Sequence, residues 1–447
     1  MFKLREYQQR AVEKGIEFFS SKSKKNAIIV APTGSGKSLI IANIAKALNG
    51  HTIVFQPSKE LLEQNYNKYI SYGEKAEIYS ASMNQKTIGQ VTFATIGSVV
   101  NKPELFDKFE YCITDECHLV SPRDSSMYQR FFGKLDLKVL GLTATPIRMK
   151  RYNFPAAHAK LCMLDRMRPK FFQEYLHITQ ISEMVENGYF AEIDYNNFEF
   201  DTNALRINST GADYTDQSIE AALEYNSTLE SIEKLFNKLD KSNHILIFVE
   251  SVKSAYKLQK KIGIDRCGLV ESKMNKKERE KVLFAFKSGE LKAVVNVGIL
   301  TIGFDFPELD CIISARPTMS LGLYYQIIGR GVRPHPKKEK LLYFDLVNNY
   351  KKFGKIESLN IEKKNGLWVI HNGEYVLTNV DITGEQRDNF TEDNVNSDRS
   401  IHFGKFKGQL LSDIPKSYLK WLYETIDRNK YNEYIFEYFE EDKNIAV

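Results

Sequence analysis

Residues 26–38, NAIIVAPTGSGKS, constrain this chain more than any other stretch. Ala27, Ile28, Ile29 and Val30 make a branched apolar run of the kind that parallel sheets bury on both faces. Pro32 ends the run and opens a turn, Thr33-Gly34-Ser35-Gly36, after which apolar residues return at helical spacing over 39–44. Strand, tight turn and helix in that order bring a helix amino end against a loop that can approach an anion closely. Gly34 and Gly36 let backbone N–H groups converge there, Lys37 reaches outward to the β- and γ-phosphates of a nucleotide, and the Ser38 hydroxyl is placed to hold Mg²⁺. Ala31 stands where the usual pattern opens with glycine. A glycine turn before an ordinary helix shares this spacing, so the phosphate reading needs support from the rest of the chain.

That support accumulates in order. Apolar residues at helical spacing over 4–19 place Arg5 and Gln8 near the start of a helix upstream of the loop. A side-chain amide can pair with an adenine edge through two hydrogen bonds, which makes Gln8 a candidate for selecting ATP. Residues 52–55 read as a second buried strand running into Pro57-Ser58-Lys59, and 91–94 as a third running into Thr95. Both are strand-to-helix turns, where open parallel sheets bind ligands. Residues 111–114 lead to Asp115-Glu116-Cys117-His118. A carboxylate at a strand end, a phosphate loop away, is where Mg²⁺ finds its second protein contact. Residues 139–142 form a further strand ending at Thr143-Ala144-Thr145-Pro146. Strands alternating with helices predict a doubly wound α/β domain.

Residues 148–170 carry Arg148, Lys150, Arg151, Lys160, Arg166, Arg168 and Lys170 against Asp165 alone, with Tyr152 and Phe154 among them. Such a stretch suits either a solvated insertion or a nucleic-acid backbone. Residues 181–240 read as helix, short strand, polar loop and helix. A second α/β set follows, with strands at 244–249, near 269, at 293–297, 312–314 and 341–344, and helices at 254–261, 276–287 and 324–328. Asn372-Gly373 predicts the turn of a hairpin over 366–380. Residues 381–400 are polar and acidic and read as a flexible linker. The last segment is basic and aromatic. The organisation expected is therefore a first domain over 1–200 with a basic insertion at about 148–172, a second over 201–352, a hairpin and linker over 353–400, and a small module over 401–447.

At 447 residues, with 43% hydrophobic and 27% charged residues, the chain has the make-up of an ordinary globular protein with two or three cores. No apolar run reaches membrane-spanning length and MFKLREYQQR has no signal-peptide pattern, so a cytoplasmic protein with no membrane partner is expected. Cys112, Cys117, Cys162, Cys267 and Cys311 are scattered without a C-x-x-C pair, which fits a reducing compartment and not a structural zinc site. The net charge of +5 is mild, so a polyanion must be met by local patches.

The ordered set LREYQ, APTGSGKS, FQPSKELLEQ, ATIGS, DECH, TATP, NVGILTIGFDFPELD and YYQIIGRGVRPHP resembles the superfamily 2 DExH-box helicases and translocases across about residues 4–350. DECHLVS and QIIGRGVR are similar to the RadD-like branch, near the motor subunits of type III restriction enzymes. The resemblance implies two RecA-like domains in tandem, ATP with Mg²⁺ between them, and a nucleic-acid strand across both. It also implies roles. Lys37 and Ser38 hold phosphates and Mg²⁺, Asp115 holds Mg²⁺ from the other side, and Glu116 is the general base. Gln326, Arg330 and Arg333 act from the second domain, the two arginines three apart on one helical face as fingers toward the γ-phosphate. His118, Thr143 and Thr145 couple the nucleotide to the strand side. Pro57, Ser58, Lys59, Thr95, Thr301 and Gly303 hold sugar–phosphate, and Asp305 links strand to nucleotide.

The RadD-like zinc module is absent, since no cysteine follows Cys311. The tail HFGKFKGQLLSDIPKSYLKWLYE instead resembles a small module found near some exonucleases and phage proteins, open to a nucleic-acid or protein partner. The function expected is an ATP-dependent DNA helicase or translocase in repair, recombination or phage genome processing. An RNA-remodelling ATPase and a nucleotide-gated DNA clamp are the alternatives, because contacts to phosphate do not read the sugar.

Overall fold

A computed structural model of the chain describes residues 3–151, 159–209, 212–242, 244–301, 303–364 and 366–378, and within the tail 401, 405–406, 409, 411, 414–426, 435–436 and 438. The linker expected over 381–400 lies outside the described residues, as do Tyr152, Phe154, Phe403 and Lys407. The chain divides into two compact units, one of Met1–Gln180 with Ile361–Val447, the other of Ile181–Asn360.

The first unit is built on an eight-stranded sheet in the order β10-β1-β7-β6-β2-β5-β3-β4. Its strands are β1 Ala27–Val30, β2 His51–Phe55, β3 Glu77–Ser80, β4 Gln85–Lys86, β5 Val91–Ala94, β6 Phe109–Thr114, β7 Lys138–Thr143 and β10 Glu174–Ile178. All neighbours run parallel except β3 and β4. The phosphate-loop strand shows why such a run must be apolar throughout. Ala27 and Ile29 enter the core on one face, with Ile40, Ile44 and Leu140. Ile28 and Val30 enter the core on the other, with Phe55 and Val139. Each fully buried isoleucine contributes about 1.5–3 kcal/mol, and a polar residue at any of the four positions would face a dry core. Helices α1 Glu6–Ser20, α2 Lys37–Ala47 and α3 Lys59–Ile70 cover the first of these faces.

Between β7 and β10 the chain makes an antiparallel pair, β8 Ile147–Arg151 and β9 Ala159–Met163. This is the basic stretch. The solvated-insertion reading does not hold for its described side chains: none from 148–150 or 160–172 is exposed, and Arg166 is buried. Antiparallel pairing holds the stretch in place, and Phe171 and Phe172 beyond it pack into the core of the first unit.

The second unit carries a six-stranded, all-parallel sheet in the order β11-β16-β15-β12-β14-β13. Its strands are β11 Ile193–Asn197, β12 Ile245–Val249, β13 Cys267–Val270, β14 Ala293–Asn296, β15 Cys311–Ala315 and β16 Leu341–Asp345. Here the expected domain boundary is corrected. Residues 193–197, assigned from sequence to the first domain, pair in register with β16, and the units divide at 180/181. IDYNN is short, polar and at a sheet edge, so only its partner reveals where it belongs. Two further expectations change. The helix α11, Leu321–Ile328, ends at Gly329, so Arg330 and Arg333 sit in the following turns and not on a helical face. Leu367–His371 pairs with Asn360–Lys364 in a two-stranded sheet, while the Asn372-Gly373 turn folds back a single bridge, His371 to Val376. In the tail, α13 Lys416–Thr425 packs Leu419 and Leu422 against Ile401, Leu411, Ile414 and Ile435.

Candidate nucleotide site

Strand order sets the site. β7 lies between β1 and β6, so the carboxyl ends of these three strands deliver the phosphate loop, Thr143 and the acidic pair side by side. Gly34 and Gly36 hold φ of +83° and +81°, the left-handed region that only glycine enters at little cost. Gly36 has a second constraint: a Cβ there would lie 2.7 Å from Gln8 Nε2. That amide donates to the Ser35 carbonyl at 2.7 Å and the Tyr7 hydroxyl donates to the same oxygen at 2.6 Å. The Gln8 Oε1 accepts the backbone N–H of Arg5, the exposed cap of α1, at 2.9 Å. Gln8 therefore braces the loop, with one N–H and one lone pair in hand for a further partner. Thr33 is buried within the same loop.

Lys37 Nζ stands 3.4 Å from Glu116 Oε1. Glu116 Oε2 is 3.4 Å from His118 Nδ1, which is 2.9 Å from the Thr143 hydroxyl and 3.3 Å from that of Thr145. The sequence-predicted Lys37, Glu116, His118, Thr143 and Thr145 thus form one continuous chain of polar contacts. Asp115 is buried; its Oδ1 accepts the Glu116 backbone N–H at 2.9 Å and its Oδ2 accepts Asn65 Nδ2 at 3.1 Å. Burial and the neighbouring Glu116 charge raise the Asp115 carboxyl to about 6, against the pull of Lys37. Burial works to raise Glu116 too, but the Lys37 charge and the His118 contact outweigh it and hold this carboxyl at about 2. The pair divides its labour by environment. Glu116 takes φ +46°, and its turn packs on β7 where Gly141 leaves room: a Cβ at 141 would lie 2.6 Å from Cys117 Sγ.

Two features of this unit were missed from sequence. Asn65 sits on the apolar stripe of α3 between Leu62 and Tyr69, and a polar residue in that register was the available signal. Arg148 donates to the His118 carbonyl at 3.1 Å, tying the basic hairpin to the acidic motif. Of the residues expected on the strand side, Ser58 caps α3 by accepting the Leu61 N–H, Pro57 and Lys59 flank it half-buried, and Thr95 shares a hydrogen bond with Ser98.

In the second unit a separate cluster assembles. Arg330 donates to the Phe304 carbonyl at 2.8 Å and to the Gln326 carbonyl at 3.2 Å, and Arg333 pairs with Asp305. Gly303, at φ +76°, turns the chain into this loop, and the Thr301 hydroxyl donates to Gly298 O. Gln326 is buried beneath it. Lys338, also missed from sequence, is buried and donates to the carbonyls of Gly331 at 2.7 Å and Leu309 at 3.0 Å, pinning the arginine-bearing turn.

The first unit's residues fit a nucleotide phosphate and a divalent cation. The loop is a glycine cradle that a Cβ would fill, the Ser35 hydroxyl is buried there without a hydrogen-bond partner, and Lys37 meets the half-buried Glu116 carboxylate beside the buried Asp115. No helix among the described residues is long and apolar enough to cross a membrane.

The family model described as "Type III restriction enzyme, res subunit" matches residues 1–148, and "Helicase conserved C-terminal domain" matches 227–335. A third, "Putative quorum-sensing-regulated virulence factor", matches 396–425. A 51.5 kDa protein of Lactococcus phage (isolate 7-9) is 27% identical over 72% of this chain and 66% of its own length. The DNA 3'-5' translocase XPB2 of Sulfurisphaera tokodaii is 26% identical over 76% of this chain and 80% of its own. The first curated relatives are spanned by this chain over 51% to 66% of their length. Among solved structures, the ATP-dependent Type ISP restriction-modification enzyme LlaBIII bound to DNA aligns with a TM-score of 0.56 at 17% identity, covering 77% of this chain and 28% of that one, a likeness of fold.

Proposed function

Because the chain belongs to the superfamily 2 helicases and translocases, in their restriction-motor-like group, we propose that it is a nucleic-acid-stimulated ATPase that moves along DNA. The observation that carries this reading is the continuous chain Lys37–Glu116–His118–Thr143 at the carboxyl ends of β1, β6 and β7. The loop N–H groups and Lys37 bind the triphosphate. Ser38 and Asp115 would hold Mg²⁺, which would supply charge neutralisation on the phosphates. Glu116 orients the attacking water and accepts its proton. When Lys37 engages phosphate, Glu116 loses its nearest cation while staying buried, and its proton affinity rises accordingly. His118 hands the state of that carboxylate to Thr143 and Thr145. Arg330 and Arg333 supply guanidinium charge to phosphoryl transfer, exchanging backbone and Asp305 partners for the more strongly held phosphate. The relative named a DNA translocase supports DNA over RNA.

The test is ATP turnover by the full chain with single-stranded DNA, duplex DNA and RNA. Stimulation is expected, strongest with DNA. Glu116→Gln should lower kcat about 100-fold or more with nucleotide binding retained, and Lys37→Ala should weaken nucleotide binding itself. Unstimulated turnover, or variants as active as the parent, would sink the proposal.

A further inference from the structure

The tail module lies outside everything the nucleotide site explains. In it three aromatic rings form a line: Phe406 meets Tyr418 edge-on at 4.7 Å, and Tyr418 lies against Trp421 at 5.4 Å and 35°. Tyr418 and Trp421 are three apart on α13 and share a face, while Leu419 and Leu422 hold the helix to the module core. Trp421 is 52% exposed, which leaves part of its ring open to a stacking partner. Lys405 stands 5.5 Å over the Phe406 ring, and Lys405 and Lys420 are both exposed. The exposed Glu424 comes one turn after Trp421 and closes the basic run.

We propose that Phe406, Tyr418 and Trp421, with Lys405 over the Phe406 ring, form a stacking platform for single-stranded nucleic acid. Bases present π-faces of any sequence to an aromatic line, and a lysine beside it neutralises a phosphate between them. A proline-rich peptide also docks on tyrosine and tryptophan, but it gives Lys405 nothing to pair with. The proposal rests on the reading of the chain as a nucleic-acid motor, since it gives that motor a second hold on its track.

The chain has two tryptophans, so Trp368→Phe in the full chain leaves Trp421 as the reporter. Without nucleotide, oligothymidylate should quench Trp421 emission, less effectively as salt is raised. Trp421→Ala should weaken oligothymidylate binding about tenfold, with ATP turnover at saturating DNA unchanged. Should Trp421→Ala disturb the module, Lys405→Glu leaves its core intact and should weaken binding while reducing the salt slope by about one. Emission unmoved by oligothymidylate, or moved by polyproline alone, overturns the platform. Failure of the motor reading looks different, with stimulated turnover lost while quenching persists.

Discussion

At the scale of single residues, the nucleotide site depends on a side chain that carries no motif. Among the described residues, the Asn65 Nδ2 is the side-chain hydrogen-bond donor to Asp115, and both groups are buried. Removing a hydrogen-bond partner from a buried group costs about 1–3 kcal/mol. Asn65→Ala should therefore lower the urea midpoint by an amount in that range and raise the Mg²⁺ concentration needed for half-maximal turnover. Asn65→Asp puts a second carboxyl beside one already pushed up to about 6. Two carboxylates at that spacing favour sharing a proton, which raises at least one folded pKa above its unfolded value. The stability so gained is present at low pH and is lost as pH rises through the raised value. Asn65→Asp should accordingly match the parent best in acid and fall away steeply toward neutrality, whereas Asn65→Ala, which removes a donor that favours the Asp115 carboxylate, should show a smaller rise in its deficit with pH. Equal deficits for both variants at all pH values would deny Asn65 its hold on Asp115.

At the scale of elements, what the chain announces and what it conceals follow from the range of the interactions. β1 and β12 are buried on both faces, so they read as unbroken apolar runs, and the phosphate loop and acidic turn are local constructions legible from a dozen residues. β11 was misplaced because an edge strand is defined by its partner. The arginine turn was drawn as helix because the apolar pattern runs to Ile328 and only the packing around Gly329 and Gly331 stops it; a Cβ at 331 would lie 2.4 Å from Leu341. Lys338, which fixes that turn, has no local signature at all. Its burial lowers the ammonium to about 8. An unfolded lysine titrates near 10.4, so between about 8 and 10.4 the unfolded chain binds more protons and folding stability rises with pH, by at most about 1.4 kcal/mol per unit. Below about 8 the contribution is flat and unfavourable. Lys338→Met should remove this slope from the urea midpoint, read as the difference between parent and variant. Because two carbonyls then lose their donor, it should also slow ATP turnover through the turn that bears Arg330 and Arg333. A slope identical in both proteins would place the titration elsewhere.

At the scale of the whole molecule, the groups proposed for binding and for chemistry are divided between the two compact units. Lys37, Ser38, Asp115 and Glu116 all belong to Met1–Gln180, whereas Gln326, Arg330 and Arg333 all belong to Ile181–Asn360. That division makes a sharp statement about kinetics. A residue that serves only the transition state lowers kcat without weakening ground-state binding. Arg330 donates to two backbone carbonyls in the structure, partners that a phosphate would outcompete. Arg330→Ala should keep nucleotide affinity within a few-fold of the parent, measured with a fluorescent ATP analogue. Its DNA-stimulated kcat should fall by about 10³ or more, the size of effect that a supplied guanidinium has on phosphoryl transfer. Arg333→Ala frees Asp305 as well and should show a mixed loss. Asp305→Ala then separates the two roles, since it breaks the same pair but leaves the guanidinium in place. If Arg330→Ala weakens binding and turnover in equal proportion, the arginine belongs to the fold of its own unit and the division of labour is refuted.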